Sequence, residues 1–271
     1  MKLLAFLLLS AILCFVASAQ TSNDIQQVGI RADNAEMKID GKLTEWGHRL
    51  QTYNKACEIR YSMANSSDYL YLTIQATDIE IIQKIITGGV AFTINTNGKK
   101  DKNGLVITFP VYEKGKSHPY LNLDKQKEIN DDKANYSMRT DSLVNSGNAK
   151  IKAAFKFIGI AGSKDITEEM IPIYNTEGIA AAAMLDNSLY YNFELSVPLK
   201  LINANSNPEK LSYNIRLNGL AFGGTDLKMV RDRFLVFKGA DGKDYMVGDA
   251  TPRNWSLATP SHFWGEYALA K

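Results

Sequence analysis

Apolar and polar residues alternate in short segments along most of the chain after residue 35. This period of two is typical of β-strands with one buried side and one side that faces solvent. Turn-forming sequences such as Asp40-Gly41 separate the segments at the spacing of a β-sandwich. The pattern predicts an all-β protein, a single antiparallel β-sandwich of jelly-roll-like form. The segments predicted as strands are 37–40, 58–63, 69–74, 90–94, 105–109, 151–160, 178–185, 189–197, 211–222, 234–237 and 245–247.

Two segments have a different pattern and predict one or two short helices. Apolar residues at positions 79, 81, 82, 85 and 86 follow a helical stripe that Gly88-Gly89 ends, and 198–202 is consistent with a helical turn. Residues 113–148 are rich in Lys, Asp and Asn, and we predict a long polar surface excursion there. Since there is no internal repeat or linker, the sandwich is expected to span 36–271 as one domain, preceded by the segment 20–35.

The first 19 residues have the pattern of a secretory signal peptide. Lys2 precedes the apolar run 3–16, and Ala17-Ser18-Ala19 is a small-x-small cleavage site. The run is shorter than the ~20 residues that a membrane-spanning helix needs, so we expect no membrane span. A lipid anchor at Cys14 is the alternative, but Ala11-Ile12-Leu13 lacks the small residue expected before a lipidated Cys. The sequence predicts a secreted or periplasmic protein whose only remaining thiol is Cys57.

Composition and charge narrow the function classes. The 271 residues are 45% hydrophobic and 22% charged, which is the composition of a globular protein. Lys and Arg number 31 against 29 Asp and Glu, with no long basic run. A nucleic-acid-binding surface needs clustered Lys and Arg, so we expect no nucleic-acid partner.

Catalytic and metal-binding patterns are sparse. His48, His118 and His262 lie far apart and lack metal-ligand spacing, and neither Gly-x-Ser-x-Gly nor a phosphate-binding loop occurs. Glu194 lies inside an alternating strand, where a structural hydrogen bond or salt bridge is the expected role. We therefore predict a protein that is not an enzyme. Asp101-Lys102-Asn103-Gly104, with Asn95 and Asn97, resembles part of a calcium loop, although three Lys residues there favour a plain hairpin loop.

The aromatic residues, 13 Tyr, 11 Phe and 3 Trp, suggest a second kind of site. Flat aromatic faces stack on sugar rings, while polar neighbours bind the hydroxyl groups. Most of these residues fall on strand patterns and are expected in the core, Trp46 is expected to close one end of the sandwich, and Trp264 is expected to pack. Trp255 is preceded by Thr251-Pro252, which indicates a loop, and Arg253 supplies hydrogen-bond donors nearby. Trp255 and Arg253 are the predicted ligand-binding residues.

Three stretches together resemble the family nine carbohydrate-binding modules and their DOMON-like relatives. The first is Ile39-Asp40-Gly41-Lys42-Leu43-Thr44-Glu45-Trp46, the second is Asp68-Tyr69-Leu70-Tyr71-Leu72 followed by Asp78, and the third is Tyr191-Asn192-Phe193-Glu194-Leu195-Ser196-Val197-Pro198-Leu199. The resemblance covers about residues 36 to 200. Trp46 directly follows Glu45 where the family spaces the Trp further on, and the family's sugar-binding Trp pair has no identified counterpart.

The resemblance implies an antiparallel β-sandwich that binds a polysaccharide or oligosaccharide outside the inner membrane, with calcium as a candidate structural ion. The first hypothesis is therefore an exported, non-catalytic carbohydrate-binding protein. The second is a β-sandwich that binds a protein partner, with 113–148 as the contact surface. A third follows a branch of the DOMON-like group that binds haem through axial Met and His or Lys ligands. Met63, Met184 and Met229 are candidate ligands for this third hypothesis, although they lie on or near strand patterns where core packing is the default role.

Overall fold

The computed structural model describes residues 25–27, 29–32, 37–47, 50, 52–114, 116, 118–123, 136–202, 210–220, 225–239 and 242–271. The predicted signal peptide at 1–19, Cys14, His48 and most of 20–35 lie outside these ranges. Within them, no helix is long and apolar enough to cross a membrane.

The described residues form fifteen strands in three sheets, which confirms the predicted all-β sandwich and adds a third sheet to it. The five-stranded sheet has the order β2 (Thr52–Asn54), β3 (Ile59–Asn65), β4 (Tyr69–Ala76), β10 (Tyr191–Pro198) and β9 (Ala180–Leu185). The seven-stranded sheet has the order β1 (Ile25–Gln27), β15 (Ser261–Tyr267), β11 (Leu211–Leu217), β5 (Val90–Asn95), β6 (Leu105–Val111), β7 (Phe157–Ala161) and β8 (Met170–Pro172). The small sheet consists of β12 (Thr225–Val230), β13 (Phe234–Lys238) and β14 (Asp244–Asp249).

The two large sheets pack face to face over one hydrophobic core, because the apolar members of each alternating strand point inward. Tyr61 of β3 and Tyr213 of β11 meet across this core with their hydroxyl oxygens 3.0 Å apart. Gly265 of β15 lies where a Cβ would be only 2.4 Å from the Tyr213 ring, so a larger residue there would displace the ring. The segments predicted at 58–63 and 69–74, at 90–94 and 105–109, and at 234–237 and 245–247 each form an antiparallel hairpin. Among the described strands, β1 and β15 pair in parallel.

Three α-helices accompany the sheets within the described residues. The predicted helix is present as α1 (Ile79–Gly88), which begins at the N-cap Asp78, and the turn after β10 is a 3-10 helix (Leu199–Ile202). The second helix, α2 (Tyr136–Ala154), has 19 residues and lies where the sequence predicted a polar excursion and the start of a strand. The third, α3 (Pro252–Ala258), lies where a loop was predicted around Trp255. The strand predicted from residue 151 and the loop predicted around Trp255 were therefore wrong.

The residues 37–47 lie over the outer side of the five-stranded sheet and are not strands. Trp46 is 1% exposed and belongs to a small apolar cluster with Ala64 and Tyr71, whose side chains point away from the main core. The expectation that Trp46 closes one end of the sandwich was therefore wrong. The Trp46 indole Nε1 donates to Glu194 Oε1 at 2.9 Å, and the backbone N–H groups of Asp40 and Gly41 donate to Glu194 Oε2.

These contacts bring the three sequence motifs together. The first motif supplies Asp40, Gly41 and Trp46, the second supplies Tyr71, and the third supplies Glu194. Gly41 has φ +83°, a backbone conformation that favours glycine. The three motifs therefore form one structural unit on the outer side of the five-stranded sheet. The predicted hydrogen-bonding role of Glu194 is confirmed.

Candidate ligand-binding groove

The outward-facing side chains of the seven-stranded sheet form two rows that cross β15, β11, β5 and β6. Residues paired across neighbouring strands point to the same side of a sheet, so the strand register defines each row. The first row contains Trp264, Asn214, Thr93 and Val106. The second row contains His262, Arg216, Ala91 and Thr108. Together they place an aromatic ring beside hydroxyl, amide, imidazole and guanidinium groups.

A groove of about 280 Å³ lies over these two rows, and we call it the outer-face groove. Ala91 and Thr93 have small side chains and lie on β5 at the centre of the rows, which leaves space between the larger neighbours. Two further residues complete its lining: Lys102 from the loop between β5 and β6, and Asn218 after β11. Binding pockets for drug-sized ligands are about 300–1,000 Å³, so the outer-face groove is suited to a small group such as a single sugar ring.

Asn214 orients the polar side of the groove. Its Nδ2 donates to the Phe263 carbonyl oxygen at 2.7 Å and lies 3.2 Å from Nδ1 of His262. An amide nitrogen only donates, so His262 Nδ1 accepts from Asn214 Nδ2 and the ring N–H that remains is on Nε2. The pair therefore offers a ligand one acceptor, Asn214 Oδ1, and one donor, His262 Nε2–H.

Asn218 anchors the groove to α1. The Asn218 Nδ2 donates to the Gly88 carbonyl oxygen at 2.8 Å, and the Asn218 N–H donates to the Gly89 carbonyl oxygen at 3.1 Å. A Cβ at Gly88 would be 2.7 Å from the Asn218 carbonyl oxygen, so this close approach requires glycine. A side chain held in this way keeps a fixed position at the groove without a ligand.

The loop that carries Lys102 contains the residues predicted as part of a calcium site. The Asn95 Nδ2 donates to the carbonyl oxygens of Lys99 and Asp101, both at 2.8 Å, and closes the loop. The Asp101 Oδ1 accepts from the Asn103 N–H at 2.9 Å. The described residues contain no group of three or more His, Cys, Asp or Glu side chains that could hold a metal ion. Calcium binding stays a prediction, and the observed role of Asn95 is to shape the loop.

The residues predicted to bind ligand, Trp255 and Arg253, lie on α3 and do not line the outer-face groove. Trp255 is 37% exposed. The Arg253 guanidinium forms ion pairs with three carboxylates: Glu58, Asp78 at 2.9 Å and Glu80 at 2.6 Å. Arg253 thus joins α3 to the start of α1 and to the turn before β3. The Thr251 side chain caps α3 and Pro252 begins it, a pattern that starts helices as well as loops.

Trp264 was expected to pack but is half-buried on the outer side of β15. The signal was present in the sequence, because Phe263, Gly265 and Tyr267 alternate with His262, Trp264 and Glu266. Tyr267 is fully buried, so Phe263 and Gly265, which have the same parity on the strand, also face the core. His262, Trp264 and Glu266 therefore face outward. Gly265 has no side chain, so the apolar alternation is interrupted at this inward position and is difficult to recognise in the sequence.

One buried cluster outside the groove carries ionisable groups. Lys84 of α1 is 1% exposed, and its Nζ donates to the Ser256 carbonyl oxygen at 2.7 Å and to Ser261 Oγ at 3.1 Å. Burial lowers the pKa of Lys84 to about 8 and raises the pKa of the neighbouring Cys57 thiol to about 11. The arrangement holds α1 against α3 and β15.

The three Met residues named for haem lie in three separate parts of the structure. Met63 is fully buried between the large sheets, Met184 is half-buried on the outer side of β9, and Met229 is 50% exposed on the small sheet. The structure does not bring these three together. Haem binding stays a prediction, and a coloured purified protein would reveal it.

No protein-family model matches this chain, and no curated protein matches its sequence. The resemblance of the three motifs to carbohydrate-binding modules therefore stays a prediction from the sequence.

Proposed function

We propose that this protein is an exported, non-catalytic carbohydrate-binding protein that holds a sugar ring in the outer-face groove. The observation that carries the proposal is the placement of Trp264 beside a fixed set of hydrogen-bonding side chains on one face of the seven-stranded sheet. The resemblance of the three motifs to carbohydrate-binding modules supports the same class of ligand.

The chemistry of the groove suits a sugar ring. The C–H face of a pyranose stacks on an aromatic ring, and its hydroxyl groups both donate and accept hydrogen bonds. The groove pairs Trp264 with donors at His262 and Arg216 and with acceptors at Asn214 and Thr93. These groups sit on paired strands rather than on loops, so they are held in position before a ligand binds, which reduces the entropic cost of binding.

The test compares two single Trp substitutions on a glycan array. In the purified protein, Trp264→Ala is expected to weaken saccharide binding at least about tenfold, because loss of a stacked ring removes on the order of 1.5 kcal/mol. Trp255→Ala is the matched variant, since it removes an exposed Trp that lies outside the groove. Both variants should keep their unfolding free energy within about 1 kcal/mol of the parent.

The four outcomes separate the two predicted sites. Loss of binding in Trp264→Ala alone supports the groove, whereas loss in Trp255→Ala alone supports the site predicted from the sequence. Binding that survives both changes would place the saccharide elsewhere on the protein. Absence of binding by the folded parent protein contradicts the proposal. Each array is run with calcium and again with a chelator, so that calcium dependence is measured in the same experiment.

Binding of a protein partner is the second candidate function, and exposed apolar side chains on the small sheet favour it. Met246 is 68% exposed, Met229 is 50% exposed and Tyr245 is 45% exposed. Strand pairing places Met229 and Tyr245 on one face of this sheet and Met246 on the other, and exposed apolar side chains are typical of protein interaction sites. A folded protein that binds no saccharide, and whose association with a partner is lost in Met246→Asp, would support this candidate.

A further inference from the structure

We infer that the outer-face groove selects an anionic saccharide, one that carries a carboxylate or a sulfate, and that Arg216 binds the anionic group. This inference rests on the proposed saccharide binding and names the class of saccharide. Three observations support it: the charges in the groove, the Arg216 Nε that has no hydrogen-bond partner among the described residues, and the geometry of the guanidinium.

The charged residues that line the groove are all cations. Arg216 and Lys102 line it, and no Asp or Glu of the described residues does. Two acids close to the groove have other partners: Glu266 lies 3.6 Å from Lys210 Nζ, and Asp101 Oδ1 accepts from the Asn103 N–H. Glu168 and Glu169 line a separate groove that adjoins this one at Thr108. In a chain that is nearly neutral as a whole, this groove is a local concentration of positive charge. Such a site attracts anionic ligands.

Arg216 is a cation for which the described residues provide no acceptor at Nε. Its Nε is buried and has no hydrogen-bond partner in the part of the chain that the structure describes. A buried donor without a partner costs free energy, and a ligand acceptor removes that cost. Arg253 shows the contrast within the same molecule, because three carboxylates surround its guanidinium. Arg253 has a structural role that accounts for its charge, whereas the described residues assign none to Arg216.

The position of Arg216 suits recognition of one anionic group on a sugar ring. It pairs with His262 on one side and with Ala91 on the other, one row from Trp264. A guanidinium presents parallel N–H groups that bind a carboxylate or sulfate through two hydrogen bonds. A ring stacked on Trp264 would therefore place a substituent within the row that Arg216 and His262 form.

The experiment measures affinity for matched acidic and neutral saccharides by calorimetry. The carboxylate pair is an oligogalacturonate and its methyl ester, and the sulfate pair is a carrageenan oligosaccharide and its desulfated form. An array of further matched pairs extends the test to other sugar backbones. We expect the acidic member of one pair to bind about 10- to 100-fold more tightly than its neutral match, as charge-assisted hydrogen bonds predict. Affinity for it should fall as salt is raised.

Arg216→Gln should reduce this preference to within about twofold, because glutamine keeps an N–H donor but lacks the charge and the paired N–H groups of the guanidinium. Arg60→Gln is the control, since it removes the same charge from an exposed position on the five-stranded sheet. Lys102→Gln changes an exposed loop residue, and we expect it to weaken the preference by a smaller factor. If Arg216→Gln does not fold, Lys102→Gln and the salt dependence of the parent protein still decide the question.

The outcomes distinguish the inference from the function on which it rests. Equal affinity for acidic and neutral members overturns the inference and leaves saccharide binding intact. A preference that survives in Arg216→Gln overturns the role of Arg216. Complete competition by inorganic sulfate at the same concentration would show a site for free anions and would contradict the sugar. Absence of binding to every saccharide contradicts the proposed function itself.

Discussion

Glu194 is a fully buried carboxylate that three N–H groups surround. It fixes the segment that contains Asp40, Gly41 and Trp46 to the outer side of β10. Burial is the largest effect on this group and raises its pKa to about 7, although the hydrogen bonds from Gly41, Trp46 and Asp40 act in the opposite direction. Since the folded pKa lies above the ordinary value of 4.5, the contribution of Glu194 to stability is complete below that value and is lost as pH rises through about 7.

Glu194→Gln should change the pH dependence of stability. The parent protein is expected to lose on the order of 3 kcal/mol between pH values of about 4.5 and 8 through this group, and the variant should not. The unfolding free energy of the parent minus that of the variant should therefore fall over this interval, as measured by urea denaturation. Glu113→Gln, at an exposed position, is the control. A parent-to-variant difference that does not depend on pH would contradict the assignment.

At the scale of elements, α2 covers an exposed sheet edge. β9 is the edge strand of the five-stranded sheet, and Asn148 of α2 bonds its backbone as a neighbouring strand would. The Asn148 Oδ1 accepts from the Leu185 N–H at 2.7 Å, and its Nδ2 donates to the Leu185 carbonyl oxygen at 2.9 Å. Uncovered strand edges promote pairing with other chains, so this contact also protects against aggregation.

Asn148→Ala should destabilise the protein by about 1–3 kcal/mol, because it leaves a backbone donor and acceptor of β9 without partners. Asn145→Ala is the matched control on the same helix, since Asn145 is exposed and gains the same helix propensity. Urea denaturation measures the difference, and light scattering at the transition midpoint measures aggregation. Equal stability of the two variants would show that Asn148 does not protect the edge.

The sequence pattern did not predict α2, because the apolar stripe of this helix is weak. The helix buries Thr140, Val144, Gly147 and Ile151, a helical spacing in which two members are Thr and Gly. Only half of the stripe is therefore apolar, and the surrounding polar residues dominate the pattern. The helix is stabilised by packing against β9, and this long-range contact cannot be recognised from the local sequence pattern.

At the scale of the whole molecule, the sandwich buries tyrosines between its two large sheets. Tyr191, Tyr213 and Tyr267 are fully buried, and burial raises the pKa of each above its ordinary value of 10. In the unfolded chain these groups ionise near their ordinary value. The stability that they contribute is therefore present below pH 10 and is lost as pH rises above it.

The buried tyrosines should ionise only when the sandwich unfolds. In an alkaline titration, part of the tyrosinate absorbance is expected to develop in the same cooperative step in which the β-sheet circular dichroism disappears. Tyr213→Phe should reduce the amplitude of that step by the absorbance of one tyrosine. Ionisation of every tyrosine while the circular dichroism stays native would contradict the buried placement.

The local features of this protein could be predicted from short segments of its sequence. Period-two alternation and turn residues predicted the strands, the hairpins and the β-sandwich, because these signals lie within a few residues of one another. The apolar stripe and Gly88-Gly89 predicted α1 in the same way. The alternating strand around Glu194 also indicated its hydrogen-bonding role, since a polar residue between apolar strand neighbours needs a partner.

Only the tertiary structure decided which distant residues share a surface. The outer-face groove depends on the register of β15 with β11, of β11 with β5 and of β5 with β6, and no local pattern specifies these pairings. The same holds for the ion pairs that occupy Arg253 and for the placement of Trp46 on the five-stranded sheet. A one-residue shift in register turns every side chain of a strand to the opposite face. The candidate site is therefore a property of long-range strand pairing, which side-chain packing across the whole core selects.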